Sequence, residues 1–205
     1  MGRQAKYSTE QILDAAATVL ARGGPAAATV LAIAAELGAP SGSIYHRFAS
    51  RDLILATLWV RTIQRFQHGY LEALEQEPLD VAHDAAVRHV LDWCAENPDD
   101  ARTLLLFNRE ALLAAWPIEL GSELATLNDG IEAALSSYVV RRFGELNSET
   151  IGKTRLALID VPYTAARHHL LAGSEPEGWL ADAVLAASRS IVALPASTAS
   201  PRSEP

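Results

Sequence analysis

The feature that most constrains this chain is punctuation. Within the first fifty-three residues, breaks fall at Gly23-Gly24-Pro25, at Gly38-Ala39-Pro40 and at Ser50, and the stretches between them carry helical apolar spacing. Ser8-Thr9-Glu10-Gln11 has the form of a capping box, in which hydroxyl and amide side chains satisfy free backbone N–H groups at a helix start. Ile12, Ala15, Ala16, Val19 and Leu20 follow at helical intervals. Thr29 can cap a second, short helix with Val30, Ile33, Ala34 and Leu37 facing inward. Gly38 ends it, because the residue past a helix often needs positive φ. Pro40 suits the first turn of a third helix running to about Phe48. Ser50 caps a fourth, long helix with Asp52 near its positive end. Leu53, Ala56, Thr57, Val60, Ile63 and Gln67 trace one side of it.

The remaining sequence is helical in period, with no alternating strand pattern and no internal repeat. Helices are expected near 79–96, 98–114, 118–146, 148–173 and 177–194. They are separated at Pro78, Asn97-Pro98, Trp116-Pro117, Gly144–Asn147 and Gly173–Pro176. The fold class expected is therefore all-α with about nine helices. Residues 1–52 form a helix-turn-helix domain, 53–194 a helical bundle, and 195–205 a Pro- and Ser-rich disordered tail.

Composition narrows the function classes. Apolar residues make up 49% of 205, enough for a buried core. No apolar run approaches the ~18 residues that span a bilayer, and the polar start lacks a signal-peptide core. A soluble, cytoplasmic protein with no membrane partner is expected. Cys94, the single cysteine, excludes an internal disulfide. Net charge is −8, yet it is uneven: residues 1–52 hold five basic and four acidic side chains, and the rest hold twelve and twenty-one. A nucleic-acid partner would therefore meet the N-terminal part.

Two short helices joined by Gly38-Ala39-Pro40 are a helix-turn-helix candidate, whose second helix offers its N-terminal residues to a major groove. Pro40, Ser41, Gly42 and Ser43 are small enough for close approach. Tyr45 and His46 can hydrogen-bond phosphates, His46 also a base edge, and Arg47 and Arg51 bring charge. Ile44 and Phe48, four apart, share the opposite, core-facing side.

From Ser8 to Leu53 the chain resembles the DNA-binding domain of the TetR family of transcriptional regulators. The resemblance is carried by Ile12, Ala15-Ala16, Leu20, Gly24, Thr29, Ile33-Ala34, Leu37-Gly38, Gly42-Ser43-Ile44-Tyr45, Phe48 and Arg51-Asp52-Leu53. It implies that Thr29 binds a phosphate, and that Pro40, Ser41, Gly42 and His46 fall where base or backbone contacts occur. It further implies that Tyr45, Arg47 and Arg51 contact the DNA backbone, with Arg3 and Lys6 on a flexible arm. Pro40 and Ser41 depart from the common family pattern, which shifts the expected specificity toward shape readout and phosphate clamping.

The same resemblance implies a homodimeric repressor on a palindromic operator, with reading helices about 34 Å apart, and a ligand-binding second domain. Its last two helices would pair with their two-fold mates through Leu158, Pro162, Ala165, Ala166, His169, Leu180, Val184 and Ala187, positions that core packing would equally explain. By position and residue type, Trp59, Ile63, His89, Trp93, Phe107, Asn108, Trp116 and Tyr163 are candidates to line a pocket for a small apolar or aromatic effector; core packing is the alternative for each aromatic. Asp80, His83, Asp84 and Arg88 share a helical face and read as charge pairs rather than metal ligands, and adjacent His168-His169 chelate poorly. No metal, cofactor or enzymatic motif is expected. A DNA-binding regulator without a small ligand, and a helical enzyme or carrier, remain open as other classes.

Overall fold

The computed structural model describes residues 7–106, 120–174 and 177–195, all helix and connecting turns, with no strand among them. The helices are α1 (Thr9–Ala27), α2 (Val30–Leu37), α3 (Ser41–Tyr45), α4 (Arg51–Leu74), α5 (Leu79–Glu96), α6 (Pro98–Leu106), α7 (Gly121–Thr126), α8 (Asp129–Phe143), α9 (Ser148–Arg155), α10 (Val161–Ala172) and α11 (Leu180–Val192). A π turn, Leu156–Asp160, joins α9 to α10. No helix among the described residues is long and apolar enough to cross a membrane.

The N-terminal punctuation acts as the residues require. Ser8 Oγ accepts from the Gln11 N–H, and the Gln11 side chain accepts from the Ser8 N–H, closing the capping box. Gly24 leaves helical geometry, so the three residues after it form a separate turn. Gly38 takes φ 66°, a left-handed conformation. Its N–H reaches the Ala35 carbonyl and that of Ala39 reaches Ala34, which satisfies the last carbonyls of α2 while the chain reverses toward α3. Pro40 caps α3 rather than lying inside it. The regular helix stops at Tyr45, although the Arg47 and Phe48 N–H groups still bond to the Ile44 carbonyl.

Ile12, Leu13, Ala16, Leu20, Ile33, Ile44, Phe48, Ile54, Leu55 and Leu58 close one core that unites α1, α2, α3 and the first half of α4. Each large apolar side chain buried there contributes ~1.5–3 kcal/mol relative to exposure. A second core joins Tyr70, Leu74, Val87, Val90, Tyr138, Leu158, Val184 and Leu185 from α4, α5, α8, the π turn and α11. Between the two, Trp59 and Val60 of α4 pack with Leu124 of α7.

Two expectations for the bundle change. The helix expected over 118–146 breaks at Leu127-Asn128, where the Asn128 side chain accepts from Gln67 of α4 and its carbonyl starts α8. The helix expected over 148–173 contains the π turn. Pro162 has no N–H for the Leu158 carbonyl, and the Val161 N–H bonds back to Leu156. The two carbonyls thus released are taken by hydroxyls from other helices: Ser188 donates to Ala157 at 2.7 Å and Tyr70 to Leu158 at 3.0 Å. Because Ser188 donates there, its oxygen accepts from His83 Nε2 at 2.9 Å, and Tyr138 donates to His83 Nδ1 at 2.8 Å. His83, Tyr138 and Ser188 are all buried, so every member of this network has a partner.

Around His83 the face read as charge-paired is paired across helices. Asp80 meets Arg142, Asp84 meets Arg189, and Arg88 lies 3.8 Å from Asp182. His83 itself is core, not surface. No group of three His, Cys, Asp or Glu side chains among the described residues is placed to hold a metal.

Candidate nucleic-acid interface and central cavity

The helix-turn-helix places two kinds of side chain on opposite sides of α3. Ile44 is fully buried and Phe48 nearly so, whereas Tyr45 is 57% exposed and Gly42, His46 and Arg47 are exposed beside Pro40. Ser41 and Ser43 are half-buried. Thr29 is exposed at the start of α2, and its Oγ1 accepts from the Ala32 N–H at 3.1 Å. The hydroxyl keeps a proton to donate outward. Thr29, Gly42 of the α3 tip and Tyr45 are therefore all open to solvent.

The two arginines have structural duties that the sequence did not disclose. Arg47 Nε donates to the Tyr7 carbonyl at 2.8 Å, and the Tyr7 hydroxyl donates to the Gly38 carbonyl at 3.0 Å. Together they strap the segment before α1 across the helix-turn-helix. Arg51 donates from Nε to the Ala28 carbonyl at 2.8 Å, from Nη2 to the Pro25 carbonyl, and from Nη1 to Asp52. It closes the α1–α2 loop against the start of α4 with three of its five N–H groups. Arg3 and Lys6 lie outside the described residues.

The acidic side chains of the first fifty-two residues all have cationic partners. Glu36 pairs with Arg22 and Asp52 with Arg51. Glu10 and Asp14 pair with Arg61 of α4 at 2.8 Å each, and Arg65 lies 3.8 Å from Glu10. Exposed pairs of this kind add little stability. They do reduce the negative field of the N-terminal unit, which favours a polyanion.

Farther along α4 the bundle encloses a cavity of about 650 Å³. Trp59, Ile63, Phe66 and Tyr70 of α4 form one wall, and Val90, Trp93 and Cys94 of α5 another. Leu104 and Leu105 of α6, Ile131, Leu135 and Val139 of α8, and Ile151, Thr154, Leu158 and Tyr163 from α9 to α10 close the rest. Phe66 stacks on Tyr70 and meets Trp93 edge-on. Burial pushes the Cys94 thiol up to about 11, so it is uncharged at neutral pH.

Of the residues expected at a pocket, Trp59, Ile63, Trp93 and Tyr163 line this cavity. His89 does not. Gly69 has no side chain, and the His89 ring occupies that space, where a Cβ would come within 2.5 Å of it. His89 Nε2 bonds the Phe66 carbonyl at 2.9 Å, and burial lowers the pKa of the ring. Phe107, Asn108 and Trp116 lie outside the described residues. Sequence reading weighed Phe66 among the bundle aromatics without choosing it, and it missed Tyr70, the bonded Gln67–Asn128 pair and the α8–α10 wall apart from Tyr163.

The residues expected to pair with a two-fold mate divide. Leu158, Pro162, Ala166 and Val184 are buried within the chain's own core, Ala165, His169 and Leu180 are half-buried, and Ala187 is exposed. The exposed sides of α10 and α11 carry Thr164, His168 and Leu171, and Ala183, Ala187 and Ser190.

Comparison with known proteins agrees with this geometry. Residues 12–58 match the family model of bacterial regulatory proteins, tetR family. No curated protein sequence matches the chain significantly. Among solved structures, a transcriptional regulator from Rhodococcus sp. Rha1 superposes with a TM-score of 0.72 at 20% identity, covering 91% of this chain and 96% of that one. The fatty acid degradation regulator FadR from Bacillus halodurans gives 0.68 at 19%, covering 91% and 98%. FadR from Bacillus subtilis, solved in complex with stearoyl-CoA, gives 0.66 at 17%, covering 90% and 96%. Residues 12–58 are thus similar to the tetR family of bacterial regulatory proteins, and the chain as a whole has the same fold as solved TetR-family transcriptional regulators.

Proposed function

We propose that the protein is a sequence-specific, ligand-responsive repressor that binds a palindromic operator as a homodimer. Residues 1–52 serve as its reading head and 53–194 as its ligand-binding and dimerisation domain. The observation that carries this reading is α4. Its first half completes the core of the reading head through Ile54, Leu55 and Leu58, and its second half walls the cavity through Trp59, Ile63, Phe66 and Tyr70. A side chain displaced by a ligand therefore belongs to the same rigid rod as the head. Arg61, half a turn from Trp59, ties that rod to α1 through Glu10 and Asp14.

In this reading Pro40, Ser41, Gly42, Ser43 and His46 approach bases and phosphates, and Thr29, Tyr45 and Arg47 hold the backbone. Arg51 sets the loop beneath them. The exposed sides of α10 and α11 pair two copies. The effector is small and apolar or aromatic, and Trp59, Ile63, Trp93 and Tyr163 contact it. The Bacillus subtilis protein, which shares the fold, was solved in complex with stearoyl-CoA, whose stearoyl chain is apolar, and this supports a ligand with an apolar part. Such a ligand releases DNA only by binding the non-DNA conformation more tightly.

The test is retention of genomic fragments by the purified protein, followed by titration of the retained complex with a panel of apolar compounds. Retention that falls with salt and with one compound supports the proposal. Retention unaffected by any compound leaves a regulator without a small ligand.

A further inference from the structure

The helix offered to DNA is also the one least able to hold itself. α3 has five residues, Ser41–Tyr45, and a helix that short does not persist on its own propensity. Its large buried anchors are Ile44 and Phe48, one near its end and one just past it. The tip has no such anchor: Pro40 and Gly42 are exposed, and Ser41 and Ser43 are half-buried. Pro40 gives the helix start no side-chain cap. The direction of the tip therefore depends on the turn that delivers it.

One residue outside the helix-turn-helix ties both sides of α3. The Tyr7 hydroxyl donates to the Gly38 carbonyl at 3.0 Å, in the turn before α3. The Tyr7 carbonyl accepts from Arg47 Nε at 2.8 Å, just after α3. Arg47 Nη1 also lies 3.4 Å from Thr9 Oγ1, on the first residue of α1. Tyr7 itself directly precedes the Ser8 cap of α1, whose Ile12 and Leu13 are buried in the head core. The bond to Gly38 acts at the most permissive torsion of the turn. Gly38 has φ 66° and ψ 31°, and a glycine ψ turns more freely than any other. The Ala34 carbonyl holds the N–H side of the Gly38–Ala39 peptide at 2.9 Å, and Tyr7 holds its oxygen.

We propose that Tyr7 is a positioning residue for DNA recognition, clamping the turn before α3 and the arginine after it so that the tip meets the duplex in one orientation. This rests on the reading of the head as a DNA-binding unit and adds a residue that acts through α3 rather than on the duplex. A tip that wanders is competent for only part of the time, and the apparent affinity falls by that fraction. Binding to random duplex draws on phosphate charge and does not need the tip in register with base edges.

The experiment uses the full-length protein, one genomic fragment that it retains and a random duplex of equal length, with fluorescence anisotropy over a range of salt. Tyr7→Phe removes the hydroxyl and keeps the ring and the carbonyl. It should weaken the retained fragment by about three- to tenfold and leave random duplex within about twofold of wild type. The salt slope and the melting temperature should not change. A slope shallower by about one would mean that the hydroxyl itself meets a phosphate, and would overturn the positioning role. Equal loss on both duplexes with a lower melting temperature would reduce Tyr7 to support of the fold and overturn it as well, as would unchanged binding to the fragment. Failure of the wild type to prefer any fragment over random duplex would instead remove the DNA-binding reading beneath, and this inference with it.

Discussion

The two cores of this molecule are built to different ends. In the N-terminal unit the apolar side chains of α1 to α4 close on one another, and Ile12, Ile33, Ile44 and Ile54 are fully buried. In the bundle, side chains of similar size surround about 650 Å³ that they do not fill. The head is close-packed, and the bundle leaves space within. In the proposed reading, rigidity in the first keeps a small DNA-facing surface in shape, and space in the second lets a ligand alter the packing. α4 belongs to both.

The contrast can be broken most forcefully by truncating matched isoleucines. Ile44→Ala should cost ~2–5 kcal/mol, because a close-packed site loses contacts on every side. Ile63→Ala, on the cavity wall, should cost about 1 kcal/mol, because the atoms removed border space on one side. Denaturant unfolding of both variants measures the difference, and similar costs would mean that the bundle is as solid as the head.

The join between the units is the next target. Arg61 is 11% exposed and meets both Glu10 and Asp14, while those carboxylates are largely exposed. Arg61→Ala should cost ~1 kcal/mol, a value reduced for the exposed partners. The loss should shrink in high salt, which melting curves at two salt concentrations will show.

A smaller effect separates the units by pH. Burial holds the His83 pKa below its ordinary value of 6.5, with Asp80, Asp84, Arg142 and Arg189 as the nearby charges. The unfolded chain therefore takes up this proton first as pH falls, so the bundle's stability drops below about pH 6.5. His83→Gln should flatten that part of a pH–melting profile. An unchanged profile would show that His83 protonates without loss in the fold.

The head was readable because its signals are short-range. A capping box, a left-handed glycine and a spacing of four between Ile44 and Phe48 specify their own neighbourhoods. What was not legible there is long-range partnership: the carbonyls of Pro25 and Ala28, over twenty residues away, accept from Arg51, whose residue type suggests phosphate. The bundle was readable as helices and at four lining positions of its cavity, Trp59, Ile63, Trp93 and Tyr163. His89 and Trp93 are four apart on α5, but the ring of His89 turns into the gap left by Gly69 while Trp93 faces the cavity. Space is a property of the assembled helices and no single stretch encodes it. The helix expected over 148–173 took no account of Pro162 as a break, and the hydroxyls of Tyr70 and Ser188 that stabilise the π turn come from distant helices.

The slightest effect on stability should accompany the largest on function. Tyr45 and His46 are exposed, so replacing both with alanine should change stability by only about 0.5 kcal/mol per residue. The decisive measurement is fluorescence anisotropy of a retained genomic fragment at low salt, with the wild type and this double variant. The wild type should bind the fragment well above random duplex, and the variant, melting at the same temperature, should bind at least about tenfold more weakly. Equal binding by the two proteins would contradict the assignment of the α3 tip as the surface that reads DNA.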